Sequence, residues 1–399
     1  MNPENASVEV DIESLAAGGD GLGHLEDGRV VFVPFTVPGD RVRLRVVSER
    51  SRFVRAEVES IVTAGEGRTD PVCAVFGECG GCTWQHVRYD QQLEAKTRIL
   101  RDAIERIAKL AVPGEIVSWP SPSPYGYRVR TRVASARGRV GYRRARSREL
   151  CATSSCPVLF PDLEDALERL SESLGPEHAE CDFEMVTDGS GGTRVVPVPG
   201  ERSAVWPTTP RISIPAGSRE IRLSPGVFLQ GNGLLFDRLE KSVVEAASPA
   251  PAVGGLVLEL YAGGGFFTLG LAHRFDQVVA VEASEAATSD LKANVDAAKL
   301  SNVDIRISTV EEVVENPGNL APDTIVLDPP RTGLSKGSAQ GLRHLDAKRI
   351  VYLSCDPATL ARDLQVLTEP GYRLASLEVF DLFPQTPHVE TLALLERIP

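Results

Sequence analysis

The chain has 399 residues, 42% apolar and 25% charged, with a formal net charge of −12, a balance that leaves room for two or three soluble domains with sizeable cores. No apolar run approaches the ~20 residues of a membrane span, and the acidic start MNPENASVEVDIE has neither the basic nor the apolar region of a secretory signal. Membrane and secreted readings are set aside, a cytoplasmic monomer is expected, and the seven cysteines read as metal ligands or catalytic groups rather than disulfides.

Residues 1–64 read as short alternating strands, Val8–Ile12, Arg29–Val33, Arg41–Val47 and Phe53–Ile61, punctuated by turns at Gly18-Gly19-Asp20-Gly21 and Pro38-Gly39-Asp40. This pattern predicts a small β-barrel of the oligonucleotide-binding kind, with Arg41, Arg43, Arg45, Arg52 and Arg55 on its exposed face. Residues 65–222 are rich in Gly, Pro and Arg and predict a β-rich, metal-stapled domain. Its one clear helix, Tyr89–Leu110, carries an apolar stripe of Leu93, Leu100, Ile104, Ile107 and Leu110 that could instead pack on the domain that follows.

Cys73, Cys79 and Cys82 lie too close together for unliganded thiols. Four thiolates hold a four-iron cluster or a tetrahedral zinc, and Cys156, followed by Pro157, is the expected fourth ligand, with Cys151 and Cys181 as alternatives. Residues 128–148 then hold nine arginines and no acid: Arg128, Arg130, Arg132, Arg137, Arg139, Arg143, Arg144, Arg146 and Arg148. A local basic surface can hold RNA phosphates while the acidic remainder limits indiscriminate binding; a solvated hairpin is the alternative.

Residues 223–399 alternate strand and helix patterns, with strands at Leu256–Leu260, Gln277–Glu282, Val303–Ile307, Thr324–Leu327, Arg349–Leu353 and Thr391–Arg397, which predicts an α/β domain on a mainly parallel sheet. The first strand runs into Tyr261-Ala262-Gly263-Gly264-Gly265, where glycines let the backbone turn tightly against a ligand. Glu282, seventeen positions beyond Gly265, ends the next strand where a carboxylate suits ribose hydroxyls. Thr268 stands where a dinucleotide fingerprint needs glycine, which turns the reading away from a nicotinamide enzyme.

Asp328-Pro329-Pro330-Arg331 ends a later strand at the same crevice, so Asp328 is expected to orient cofactor or target base; capping a helix or pairing with Arg331 is the structural alternative. Cys355, in a turn after an apolar strand, is the nucleophile candidate, and Glu390 the base. Position 5 of a pyrimidine becomes nucleophilic once a thiolate adds at carbon 6, and a base must then remove the carbon 5 proton.

The glycine loop, the acid ending the second strand and the Asp-Pro-Pro turn together resemble class I S-adenosylmethionine-dependent methyltransferases. Three segments in order, Asp328-Pro329-Pro330-Arg331-x-Gly333, Ser354-Cys355-x-Pro357-x-Thr359-Leu360-x-Arg362-Asp363 and Phe383-Pro384-x-Thr386-x-His388-Val389-Glu390, resemble the RNA uracil-5-methyltransferase family, specifically members with a TRAM domain and an iron-sulfur cluster. Phe228-x-Gln230-x-Asn232 resembles a further family segment. The resemblance implies a multidomain α/β protein: a TRAM barrel over 1–64, a central iron-sulfur and RNA-binding domain over 65–222, and a Rossmann-like methyltransferase domain over 223–399. It also implies a 4Fe-4S cluster on Cys73, Cys79, Cys82 and Cys156, S-adenosylmethionine at Gln230, Tyr261, Gly263, Glu282 and Asp328, and structured RNA as substrate.

Ribosomal 23S RNA is the first expectation; transfer RNA, or a non-catalytic RNA-binding or folding role, are the alternatives. Asp356 stands where asparagine is usual, Ala262 where cysteine is frequent and Gln385 where histidine is frequent. An unpaired Asp356 would raise the neighbouring thiol's pKa.

Overall fold

Near the N-terminus apolar residues recur at every second position, and this period closes the chain into a five-stranded barrel. The computed structural model describes residues 8–199, 210–216, 219–248, 254–369 and 371–398, so the first seven residues of the expected barrel domain lie outside it. Around the barrel run Val8–Leu15, Gly21–His24, Val30–Val33, Phe53–Thr63 and Arg41–Glu49, enclosing Val10, Ile12, Val31, Val33, Val42, Leu44, Val54 and Ala56. Gly21–His24 is a strand the sequence did not announce. Its glycines disfavour extended pairing, yet it is held from both sides, by Ile12 opposite Gly23 and Phe32 opposite Leu22. The barrel's Arg41, Arg43, Arg45, Arg52 and Arg55 lie on its exposed face as expected, where Arg41 and Arg43 pair with Glu9, Arg45 with Glu57 and Arg55 with Asp20.

Packing divides the chain into two units, Met1–Ile99 with Gly141–Thr153 and Phe383–His388, and Leu100–Val140 with Ser154–Leu382 and Val389–Pro399. Residues 65–222 are therefore shared between both units. In the first, residues 64–88 contain no helix or strand. This cysteine-bearing loop is pinned to the arginine hairpin by Gly80 N–H to Arg143 O (2.9 Å) and Ala145 N–H to Glu78 O (3.1 Å). The Phe383–His388 segment is held by Gln92, which accepts from Gln385 N–H (2.8 Å) and donates to Gln385 Oε1 (2.9 Å).

The second unit contains an eight-stranded sheet in the order Val303–Ile307, Gln277–Glu282, Leu256–Leu260, Thr324–Leu327, Arg349–Ser354, Glu390–Arg397, Tyr372–Phe380 and Val117–Trp119. The first five are parallel, and Glu390–Arg397 runs antiparallel to its neighbours. Central strand residues such as Val257, Val278, Ile325 and Ile350 are fully buried, as expected for parallel strands covered on both faces. The helix Tyr89–Ala103 passes into a π turn, Ile104–Ala108, which packs on helix Pro357–Leu367. Among the described residues no helix is long and apolar enough to cross a membrane.

Candidate active site

Strand register assembles the site. Val281 is level with Leu260, Leu260 with Leu327, and Leu327 with Tyr352, so Glu282, Tyr261, Asp328 and the residues leading to Cys355 emerge together at the carboxyl edge of the sheet, where α/β folds place ligands. On the antiparallel side Ser354 pairs with Thr391, which sets Cys355 and Glu390 next to one another at that edge. Sequence separation thus becomes proximity through hydrogen-bond register alone.

The assembled groups shift one another. Burial pushes the Cys355 thiol up to about 11, Glu390 and Asp328 push in the same direction, and Arg331 pulls it back. Burial raises Asp328 from the ordinary 3.8 to about 7, against a hydrogen bond from Gln230 that spans 3.0 Å from Nε2 to Oδ2. Glu390, 3% exposed, lies well above the usual carboxylate range, first through burial and then through Asp328. Asp356 plays a different part from the one its position suggested. It caps helix Pro357–Leu367 by accepting from Thr359 N–H (2.9 Å), and Arg331 approaches its other oxygen at 3.7 Å. Arg331 therefore pairs with Asp356, and Asp328 is bound by Gln230.

Beside these groups lies a cleft lined by Ile221, Leu223, Phe228, Leu229, Gln230, Tyr261, Ala262, Gly263, Gly264, Phe266, Phe267 and Asp328. Tyr261, Gly263 and Gly265 have φ of +60°, +57° and +95°, the left-handed conformations that take the chain out of its strand. A Cβ on Gly264 would lie 2.3 Å from Leu223 Cδ2, so glycine here lets the hairpin Ile212–Ala216/Arg219–Leu223 form this wall without displacing the leucine. Asn294 ties wall to loop, accepting from Arg222 N–H (2.8 Å) and donating to Gly264 O (2.8 Å). Glu282 is not among the lining residues; it accepts from Gly263 N–H (2.9 Å) and Ser284 N–H (2.7 Å) and braces the loop. Aromatic and aliphatic walls with a carboxyl at one end suit a nucleoside that carries a cation.

Sequence reasoning missed Glu259 beneath this loop. Burial pushes its carboxyl up to about 8, and Thr268 donates to it at 2.6 Å. It also missed the hydrophobic lining from Ile221, Leu223, Phe266 and Phe267, whose partners lie far along the chain.

A family model described as tRNA (Uracil-5-)-methyltransferase matches residues 218–398, and the TRAM domain matches 4–58. The chain is 33% identical to the 23S rRNA (uracil(1939)-C(5))-methyltransferase RlmD of Pseudomonas putida, over 99% of this chain and 94% of that protein. The chain belongs to the RNA uracil-5-methyltransferase family. It is also 32% identical to an uncharacterized RNA methyltransferase of Streptomyces avermitilis, over 97% of this chain and 98% of the other. The crystal structure of Pyrococcus abyssi tRNA (uracil-54, C5)-methyltransferase in complex with S-adenosyl-L-homocysteine superposes with a TM-score of 0.76 at 26% identity, over 97% of this chain and 99% of that one.

In this RNA uracil-5-methyltransferase the expected cluster ligands are not gathered into a metal site: among the described residues no group of three or more Cys, His, Asp or Glu side chains could hold a metal ion. Cys73, Cys79 and Cys82 are half-buried on the irregular loop of the first unit, whereas Cys156 belongs to the second. Of the alternatives, Cys151 is a buried hairpin residue, and the Cys181 thiol donates to Asp182 O at 3.1 Å. Within the arginine segment Arg143, Arg144, Arg146 and Arg148 are exposed and Arg130 is half-buried. Arg130 is bound by the fully buried Glu184 (Nη2 to Oε2, 2.6 Å), Arg144 pairs with Glu78 at 3.0 Å, and Arg143 donates to Arg148 O at 2.9 Å. Arg132, Arg137 and Arg139 are exposed, and Arg128 is half-buried.

Proposed function

We propose that this enzyme methylates carbon 5 of a uracil in 23S ribosomal RNA through a covalent adduct between Cys355 and carbon 6. The observation that carries this reading is the convergence of Asp328, Cys355 and Glu390 at one end of adjacent strands, beside the glycine-loop cleft. S-adenosylmethionine supplies an electrophilic methyl group on a cationic sulfur. Cys355 Sγ, once deprotonated, adds to carbon 6, and the electron pair released onto carbon 5 takes the methyl group. Glu390 removes the carbon 5 proton, the carbon–sulfur bond breaks, and the thiolate is restored. Its high proton affinity suits Glu390 to that task. Asp328, held by Gln230, orients the reacting groups.

Reaching the ring requires extruding the nucleotide at a cost of a few kcal/mol, about least in single-stranded loops; the exposed Arg132, Arg137 and Arg139 would offset part of this through phosphate contacts. Ribosomal RNA is favoured by the Pseudomonas putida and Vibrio campbellii relatives named for 23S rRNA. Transfer RNA is the second reading, supported by the Pyrococcus abyssi enzyme. A 4Fe-4S cluster rests on cysteine spacing and the family resemblance, and no step above passes through it. Iron and sulfide analysis of anaerobically purified protein checks it, with about four of each per chain expected.

The decisive experiment incubates the protein and its Cys355→Ala variant with methyl-labelled S-adenosylmethionine and size-separated RNAs lacking 5-methyluridine. Label at uracil carbon 5 of large-subunit RNA, absent with the variant, supports the proposal; label in transfer RNA moves the substrate. If no RNA is labelled despite cofactor and RNA binding, the catalytic reading fails in favour of an RNA-binding protein.

A further inference from the structure

Two charged residues of the nucleophile segment, Arg362 and Asp363, take no part in the chemistry above, yet both reach back from helix Pro357–Leu367 to the loop after Asp328. The Asp363 carboxylate, 3% exposed, accepts from Tyr352 Oη (2.7 Å) on the nucleophile strand and from Leu334 N–H (2.8 Å) on the loop. Arg362 Nη2 donates to Thr332 O and Leu334 O, both at 2.9 Å, and its Nε donates to Asp363 Oδ1 at 2.9 Å. Between these anchors Gly333 has φ +69°, and a Cβ there would lie 2.3 Å from Thr359 Cγ2 and 2.4 Å from Asp363 Oδ2. Pro329 and Pro330 stiffen the chain before it, and the Gly333 N–H closes a turn onto Pro330 O at 2.8 Å.

We infer that Arg362 and Asp363 are positioning residues for methyl transfer: they latch the Asp328–Leu334 loop to the nucleophile's strand and helix, and so fix Asp328 and Arg331 relative to Cys355. The inference rests on the proposed uracil methylation for its functional consequence and on the hydrogen bonds for the latch itself. One buried carboxylate joins three elements, so losing it removes the loop's tie to the strand and leaves Arg362 alone to hold the loop to the helix. A planar guanidinium reaches two carbonyls and a carboxylate together, which a single ammonium does not.

The test compares full-length wild type with Arg362→Ala, Arg362→Lys and Asp363→Asn. The kcat for methyl transfer to RNA is expected to fall roughly 10- to 100-fold in Arg362→Ala and Asp363→Asn, the scale of a misplaced reacting group. The KM for RNA and the affinity for S-adenosylhomocysteine should change little, and Arg362→Lys should recover part of the loss. Hydrogen exchange read by mass spectrometry should quicken in the peptide spanning 328–334 and stay slow in strand 349–354. An unchanged kcat in a folded variant, or a loss carried by KM alone, overturns the positioning role; unchanged exchange overturns the latch. If wild type methylates no RNA, the functional reading fails and the exchange data still decide the latch.

Discussion

Replacing Asp328 with asparagine should stabilise the protein while abolishing its activity, and the stabilisation should depend on pH. The Asp328 carboxyl titrates at about 7 in the folded chain against an ordinary 3.8. Between those values the folded state binds the proton that the unfolded state has lost, so stability falls as pH rises through the window, stays low above it, and is unaffected below it. A shift of that size corresponds to about 4 kcal/mol at full ionisation, and solvent screening of a partly exposed group brings it to about 2 kcal/mol. Asparagine keeps the shape and an oxygen to accept from Gln230 Nε2, now at 3.0 Å, without the charge. Urea titrations should therefore show Asp328→Asn more stable than wild type by about 2 kcal/mol near pH 8.5 and by less than about 1 kcal/mol near pH 5. Methyl transfer should be lost at both. A stability difference that does not vary with pH, or a variant less stable at the higher pH, would refute the reasoning.

Glu390→Gln removes the carboxyl that, after burial, does most to raise the Cys355 thiol; alkylation of Cys355 by iodoacetamide, resolved by peptide, should quicken near pH 9 while methyl transfer disappears. Gly265→Ala forces a side chain into φ +95° with its Cβ 2.7 Å from Leu291, which should cost about 1–3 kcal/mol and weaken S-adenosylhomocysteine binding by calorimetry. Glu184→Ala strands Arg130 and Arg194 around a buried site and should cost about 3–5 kcal/mol in urea unfolding. S-adenosylmethionine carries a sulfonium charge that S-adenosylhomocysteine lacks, so its affinity should rise with pH through the Asp328 transition near 7, whereas that of the neutral thioether should not. Parallel slopes for the two ligands would show that the charge does not lie near Asp328.

The sheet was legible because β-branched runs such as Gln277–Glu282 and Val303–Ile307 leave few alternatives, and both strands lie where periodicity put them. Tyr372–Phe380 escaped because a register shift between Leu374 and Ser376 breaks the alternation a strand is read by. The helix read as running to Leu110 ends earlier, through a π turn and a left-handed Lys109 at φ +58°, a rearrangement that buries Ile104 and Ala108 and leaves Ile107 of the expected stripe exposed. In the site, the candidate acid and thiol groups could be named from short motifs, but their electrostatic partners could not. Arg130 reads as a phosphate ligand until Glu184, fifty-four positions away, is found beneath it. The charge of Asp356 reads as a burden on the thiol until a helix N-terminus and Arg331 take it up. Such pairings depend on tertiary proximity, which spacing along the chain does not encode.

The same burial that brings these candidate groups together makes them chemically quiet. A thiol, a half-buried carboxyl and a buried carboxyl share one sheet edge, and burial is the largest influence on each, driving all three toward their protonated, neutral forms. A neutral thiol resists alkylation and oxidation, but it does not add to a pyrimidine. Arg331 alone does not reverse this, since it lowers Cys355 less than burial and the two carboxyls raise it. In the mechanism proposed above, a cation arriving at the Asp328 end of the cleft would favour the ionised form of Asp328, and an ionised Asp328 raises Glu390 further. The register that places Asp328, Cys355 and Glu390 side by side thus gathers three groups that burial drives toward their neutral forms.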